Sequence, residues 1–343
     1  MKRNNALNLI RIMAAFEVLY SHTDFHLGLG LKLFGEGGGY HLIDQFIRWI
    51  PGVPLFFILS GFLIWDSTKR SSNYFDYLKK RFWRIYPELW GGVFISALTI
   101  VWLYRDNIVL KDFLLFLFTQ STIFQFWTPD SLRGFGCGTP NGSLWTICAI
   151  IQYYLVAWFV TNIFQGRSLR FWLLAFVISF GFSAFGAFLK GNVPVLLAKL
   201  YGQTLFMHFW MFLTGAFISE FKSPILNILK KYWYAFVGVS LVFYWLHVDL
   251  PLLNYPFIKS VFASVGLIGF AYRFPRLEFK TDISYSVYIY HMIFVNVFID
   301  FGFLENKVLM IYIILLTFVS SYISTQTLGR FGLSMKKRHT TVQ

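Results

Sequence analysis

The sequence predicts an all-α fold: a polytopic membrane helical bundle of about ten transmembrane helices, both termini cytoplasmic, with a short interfacial or re-entrant outer helix. Three observations carry this. Hydrophobic residues make up 57% and aromatic residues 21% of the chain, against only 13% charged, a balance far from soluble usage. Apolar windows long enough to cross ~30 Å of hydrocarbon recur along the whole chain. Lys and Arg fall in short runs between alternate windows, which is how cytoplasmic loops are marked.

The windows begin near Leu7, Gln45, Ile85, Gly142, Phe171, Lys199, Tyr232, Pro256, Asp282 and Lys307. An even number of crossings puts both termini on one side. With the N-terminus inside, twenty of the 30 Lys and Arg fall in inner segments and nine at outer ones, while Arg11 lies within the first span. The net charge of +14 is therefore a topology signal, and nucleic-acid binding is not expected. Cys137 and Cys148 are too few for a metal cluster or a disulfide framework. Lys2 and Arg3 before an apolar run imitate a signal peptide, but Arg11 and Glu17 interrupt the run and no small-residue cleavage site follows. The segment is read as the first span.

That span, Leu7 to Phe25, carries the most informative pair in the chain. At ~100° per residue, the eleven positions from Arg11 to His22 come to about 20° beyond three full turns, so both side chains point the same way, about 16 Å apart along the axis. Charged or titratable groups inside a span are costly and tend to face a cavity or a partner. The alternative has Arg11 snorkelling to the inner interface and His22 marking the outer end. Glu17 lies about 140° from His22 around the helix, so a partner for the imidazole is sought on another span.

The second span carries Pro51, Pro54, Phe56, Phe57, Ser60 and Gly61. The Ser-Gly pair permits close backbone approach or a tunnel. At the inner surface follows Lys79-Lys80-Arg81-Phe82-Trp83-Arg84-Ile85-Tyr86-Pro87, clustered cations with aromatic neighbours that suit a phosphate-rich, nucleotide-like ligand as well as positive-inside bias. Phe113 to Trp127 is apolar but short and rich in Thr, Gln and Ser. Counting it as a span would invert everything after it, so it is read as the outer interfacial helix, and Thr128 to Gly142 as an outer loop. Asn141-Gly142-Ser143-Leu144-Trp145 opens the fourth span, with Gln152 and Tyr153 two to three turns deeper. The ninth span holds Ser284-Tyr285-Ser286-Val287-Tyr288-Ile289-Tyr290-His291, hydroxyls and an imidazole at membrane depth. His26 and His41 are assigned to the first outer loop, while His208, His247 and His339 have no motif around them. No internal repeat or appended soluble domain is evident, so residues 1–343 read as one membrane domain.

Taken in order, these elements resemble the acyltransferase 3 family of integral membrane acyltransferases, which modify sugars on bacterial surface glycans and related acceptors. Arg11 and His22 match the family's first-helix basic residue, ten-residue gap and histidine. Phe56 to Phe62 matches its second-helix segment, Arg81 to Pro87 its basic Arg-Ile-Tyr-Pro loop, Asn141 to Leu155 its Ser-Leu-Trp element, and Ser284 to His291 its late Ser-Tyr element ending in His. One position departs: family members commonly carry Glu seven residues after the Ser of Ser-Leu-Trp, and that count from Ser143 arrives at Ile150.

The resemblance implies an enzyme of the bacterial inner membrane that moves an acyl group, acetyl in the first instance, from cytosolic acyl-CoA to a hydroxyl of a cell-surface or lipid-linked glycan, with no metal. On this reading His22 is the general base or a covalent acyl carrier, and Arg11 positions the donor. Lys79, Lys80, Arg81 and Arg84, with Ser60 and Gly61, line the acyl-CoA path. Asn141, Ser143, Trp145, Gln152, Tyr153, Tyr288 and His291 meet the acceptor, and Trp127 is a further candidate for stacking on a sugar. Membrane lipid is the remaining partner. Two other classes stay open: a transporter or flippase for a glycan or lipid-linked sugar, since buried charges also suit a substrate path, and a donor-binding pseudoenzyme or low-activity form, since Ile150 can neither accept a proton nor orient an imidazole.

Overall fold

A computed structural model of the chain describes residues 5–28, 38–247, 257–303 and 308–338, and all regular structure among them is helical. The order is α1 (Leu7–Leu27), α2 (Gly38–Trp49), α3 (Gly52–Lys69), α4 (Tyr74–Leu103), α5 (Leu110–Ser121), α6 (Trp145–Phe164), α7 (Leu169–Leu189), α8 (Val195–Gly202), α9 (Phe209–Glu220), α10 (Lys222–Trp245), α11 (Phe257–Arg273), α12 (Ser284–Asp300), α13 (Val308–Ser324) and α14 (Arg330–Arg338). Six stretches of the described residues are long and apolar enough to cross a membrane: Leu42–Lys69, Tyr74–Leu103, Gly142–Phe164, Leu169–Leu189, Lys222–Trp245 and Val308–Lys336. Leu205–Glu220 is apolar but shorter. The window starts expected at Pro256 and Lys307, and His339, lie outside the described residues.

Local chemistry explains where the elements differ from the sequence reading. The second window is two helices, because Pro51 lacks an N–H and restricts Ile50 before it, so α2 stops at Trp49 and α3 starts at Gly52. The basic Lys79 to Pro87 stretch is not a loop. It lies inside α4, and Pro87 is accommodated within that helix. The consequence is a defined register, with Lys80, Arg84 and Glu88 at successive i, i+4 positions on one face. The helix of the Phe113 to Trp127 region, α5, has 12 residues, about 18 Å at 1.5 Å per residue, too short to span hydrocarbon. In α10 the backbone leaves helical geometry at Tyr232, the residue where the seventh window was expected to begin.

Apolar side chains point outward on one face of several helices. On α13, Val308, Ile311, Tyr312, Leu315, Leu316, Val319, Tyr322 and Ile323 are exposed, whereas Leu309, Met310, Ile313, Thr317, Ser321 and Ser324 are buried. An apolar outside with small hydroxyl residues inside is the inverse of a water-soluble helix and suits lipid contact.

The chain divides into two compact units: one of Met1–Ala14, Trp49–Leu78 and Ala149–Lys280, the other of Ala15–Arg48, Lys79–Cys148 and Thr281–Gln343. The first is built on α3 against α9 and α10 against α11. A Cβ added to Gly61 would lie 2.0 Å from the Phe212 carbonyl oxygen, and one on Gly215 would lie 1.8 Å from that of Ile58, so these glycines let the α3 and α9 backbones touch. Gly269 serves α11 in the same way against Leu229 of α10. Around this contact Trp65, Trp172, Trp210, Tyr153, Phe57 and Phe212 are fully buried. The second unit packs α12 on α13, with Tyr20, Leu27, Met292, Val295, Leu309, Met310 and Ile313 as one apolar cluster and Ile100 and Phe116 with Leu132 and Phe135 of the 122–141 segment as another.

Candidate functional site

The C-terminal half of α1 is held by a charged cluster. Tyr20 donates its hydroxyl hydrogen to Asp44 at 2.6 Å, the Arg48 Nε donates to Asp44 at 2.8 Å, and Arg48 pairs also with Asp24. The guanidinium lies 5.4 Å from the centre of the Tyr20 ring, and the α1 register beside His22 is fixed by these partners. The Asp44–Arg48 i, i+4 spacing was a usable signal for the pair, which the sequence reading passed over.

His22 is half-buried. Its Nδ1 lies 2.8 Å from Nε2 of His291, with the two rings nearly parallel at 8°. His291 is fully buried, and its Nδ1 lies 3.1 Å from the Val287 carbonyl oxygen. Glu17 accepts the Ser21 hydroxyl at 2.8 Å. The partner sought for the imidazole on another helix is thus His291 of α12.

The Ser-Leu-Trp element is joined to the same helix. Asn141 donates its amide to the Ile289 carbonyl at 2.8 Å, and its own side-chain oxygen accepts the Ser143 hydroxyl at 2.8 Å. That hydroxyl also reaches the Tyr288 carbonyl at 3.0 Å. Tyr288 returns a hydrogen bond from its hydroxyl to the Ser143 carbonyl at 2.8 Å and receives one from Thr146 at 2.5 Å. Toward the C-terminal end of α12, Asn296 accepts the Cys137 N–H at 2.9 Å and donates to the carbonyls of Thr139 at 3.0 Å and Pro140 at 2.8 Å. Gly136 stands at φ +53 where a Cβ would strike Asn296 at 2.3 Å, so only glycine fits. Burial in the loop pushes the Cys137 thiol above its ordinary range. Trp145 is half-buried and Trp127 is exposed.

On α4, Lys79 is exposed and Lys80, Arg81 and Arg84 are half-buried. The Arg84 guanidinium lies 3.2 Å from Asp282 and 3.7 Å from Glu88. Asp282 accepts the Ser284 hydroxyl at 2.6 Å at the start of α12, where a carboxylate also suits the helix dipole. Glu88 is 2% exposed and accepts hydrogen bonds from Ser286 and, at 3.4 Å, from Thr325. Thr325 opens a π-helical turn, Thr325–Gly329, a feature that recurs at functional positions. Glu88, Asp282, Thr146 and Asn296 were missed in the sequence. A carboxylate directly after Arg-Ile-Tyr-Pro, inside an apolar window, was the signal for Glu88.

The remaining candidates fall in the other unit. Gly61 is filled by the α9 backbone, with Ser60 half-buried beside it. Gln152 clamps the 203–205 turn, donating to the Gln203 carbonyl at 2.7 Å and accepting the Leu205 N–H at 2.9 Å. Tyr153 donates to the Leu205 carbonyl at 2.8 Å and stacks on Phe212 with ring centres 4.8 Å apart. Arg11 is half-buried in the first half of α1. Ile150 packs on the apolar core. The structure therefore brings His22, His291, Tyr288, Ser143 and Asn141 together in one unit, and uses Gly61, Gln152 and Tyr153 to pack the other.

Comparison with known proteins adds the following. The acyltransferase domain family matches this chain over residues 4–328. A curated relative, nodulation protein 10 of Rhizobium leguminosarum bv. viciae, is 27% identical over 325 residues, covering 88% of this chain and 85% of the relative. A second, an O-acetyl transferase of Shigella phage Sf6, is 27% identical over 318 residues, covering 84% of each. No solved structure matches the chain.

Proposed function

From the premise that this chain belongs to the acyltransferase 3 family, we propose that it is a membrane O-acyltransferase that moves an acetyl group from cytosolic acetyl-CoA to a hydroxyl of a cell-surface or lipid-linked glycan. The observation that carries the reading is His22, an imidazole on an apolar helix, half-buried and hydrogen-bonded to a second imidazole at 2.8 Å. The relative named as an O-acetyl transferase supports the group transferred. The excess of basic residues in alternate segments between the apolar windows supports an inner-membrane orientation with both termini in the cytosol.

An alcohol is a poor nucleophile until a base removes its proton, and imidazole is matched to that task near neutral pH. His22 takes the proton of the acceptor hydroxyl as its oxygen attacks the thioester carbonyl. The tetrahedral adduct collapses with cleavage of the C–S bond, and the His22 imidazolium returns the proton to the departing thiolate. Lys79, Lys80 and Arg81, on the opening turns of α4, contribute positive charge for the donor phosphates, with Arg84 held among them by Asp282 and Glu88. Arg11, three turns before His22 on the same helix, contacts the donor arm. Trp145 offers its half-buried ring to the acceptor sugar, while Asn141, Ser143 and Tyr288 act by holding α12.

The test is transfer of label from acetyl-CoA to glycan acceptors in membranes. His22→Ala is expected to abolish transfer while the protein remains inserted and keeps its melting temperature. Full activity in that variant overturns the proposal, as does glycan movement with no dependence on acetyl-CoA.

A further inference from the structure

The His22–His291 contact assigns protons as well as position. The Val287 carbonyl can only accept, so the His291 Nδ1 that faces it at 3.1 Å carries the hydrogen. A neutral His291 then presents a lone pair at Nε2. The His22 Nδ1 that meets this lone pair at 2.8 Å is therefore the donor, and the neutral His22 ring has its own lone pair at Nε2. Resting on the proposed role of His22 as base, the geometry points to His291 as the positioning residue that fixes His22 in the Nδ1–H tautomer and so selects His22 Nε2 as the atom that receives the acceptor's proton.

The arrangement replaces the carboxylate of a conventional triad with a neutral imidazole. In a triad the third residue holds the catalytic ring in one tautomer and supports the imidazolium that forms. Here the Nε2 lone pair of His291 does both, because the Nδ1–H of His22 remains directed at it when Nε2 is protonated. The groups around the pair are compatible with a neutral His291. Tyr288 meets its ring edge-on with centres 5.8 Å apart, and His26 lies 6.2 Å from His22 on the same helix. Glu17, five positions before His22 and about 140° from it around the helix, accepts the Ser21 hydroxyl. An acid beside His291 would favour its doubly protonated form, in which Nε2–H would occupy His22 Nδ1 and force the proton onto the base nitrogen.

The surroundings keep His291 in place. The carbonyls of Tyr288 and Ile289, three and two residues before it, accept hydrogen bonds from Ser143 and Asn141. The backbone that supplies the Val287 carbonyl is thereby pinned within one turn of the ring.

Two measurements test this together. Nitrogen NMR of the ¹⁵N-histidine-labelled wild-type protein, with the His22 signals assigned by their loss in His22→Gln, is expected to show His22 protonated at Nδ1 and bare at Nε2. The opposite tautomer overturns the inference whatever the variants do. In the transfer assay, His291→Phe, which cannot accept a hydrogen bond, is expected to lower kcat by about 10²-fold with KM for acetyl-CoA unchanged, the size typical of lost general-base function. His291→Gln places an amide oxygen near the former Nε2 and is expected to recover at least tenfold of that loss. Wild-type kcat in His291→Phe overturns the inference while leaving the role of His22 intact, and so does a loss of equal size in His291→Phe and His291→Gln. Full activity in His22→Ala would instead remove the underlying reading.

Discussion

Ser143 and Tyr288 hydrogen-bond each other twice, the serine hydroxyl to the tyrosine carbonyl at 3.0 Å and the tyrosine hydroxyl to the serine carbonyl at 2.8 Å. Each side chain satisfies the other residue's backbone, so segment 141–146 and α12 cannot shift independently. The contact sits three residues before His291, which makes it the mechanical support of the imidazole pair.

Ser143→Ala and Tyr288→Phe each remove one bond of the pair. Because they act on one shared contact, their effects on thermal stability in detergent should be non-additive, with a coupling of roughly 0.5–3 kcal/mol. Turnover should fall in both. Strict additivity would show that the two bonds do not act as a unit.

Arg84 bridges Asp282 of the α12 entry and the buried Glu88. Arg84→Ala leaves that carboxylate without its cation, and stripping a buried ion pair of one partner costs up to ~3–5 kcal/mol. A clear drop in melting temperature is expected, partly recovered in the double variant Arg84→Ala with Glu88→Gln. Lys79→Ala should raise the KM for acetyl-CoA at an unchanged melting temperature. An Arg84→Ala protein as stable as its parent would assign Arg84 to the donor alone.

Gly61 has no room for a methyl group, since its Cβ position is taken by the Phe212 carbonyl. Both helices would have to move, and overpacking of this kind costs about 1–3 kcal/mol or more. Gly61→Ala and Gly215→Ala should each lower the melting temperature and the yield of inserted protein. Normal stability with a raised KM for the donor would place Gly61 in the acyl-CoA path as the sequence suggested.

Ile150 packs against apolar neighbours. With His22 already partnered by His291, Ile150→Glu should leave turnover per folded molecule at or below that of the parent and lower stability, since an unpaired carboxylate is costly there. A gain in turnover would identify this chain as a reduced-activity form of its family.

Burial raises the Cys137 thiol above its ordinary value of about 8.5, and the thiolate is the reactive species. Alkylation at pH 8 should be slower than for an exposed cysteine, and the rate should still be climbing above pH 9. The sign follows from protonation: the folded chain holds this proton more tightly than the unfolded one, so the loop's stability falls as pH rises beyond the unfolded value. Asn296→Ala, which releases the Cys137 N–H, should raise the alkylation rate. A rate matching that of an unfolded peptide would contradict the loop packing.

The all-helical architecture was legible in the sequence because hydrocarbon imposes one simple demand, a long apolar segment with its backbone satisfied internally. His22 was legible for a related reason, since a titratable ring in such a segment stands out against its neighbours. The helical state of Lys79 to Pro87 was not, because proline and a run of cations both read locally as a boundary, whereas α4 runs unbroken through them. Glu88 was hidden by the same stretch.

By itself the sequence determined the chain's class, the order of its motifs and the residues with the chemistry to act. Tertiary structure alone decided which of these meet. His22 and His291 are 269 positions apart, and no periodicity relates them; nor does any relate Asn141 and Ser143 to the α12 carbonyls that accept their hydrogen bonds. Side-chain type follows from composition and helical phase from spacing, but a hydrogen bond requires two groups within about 3 Å, and that distance exists only once the helices have packed.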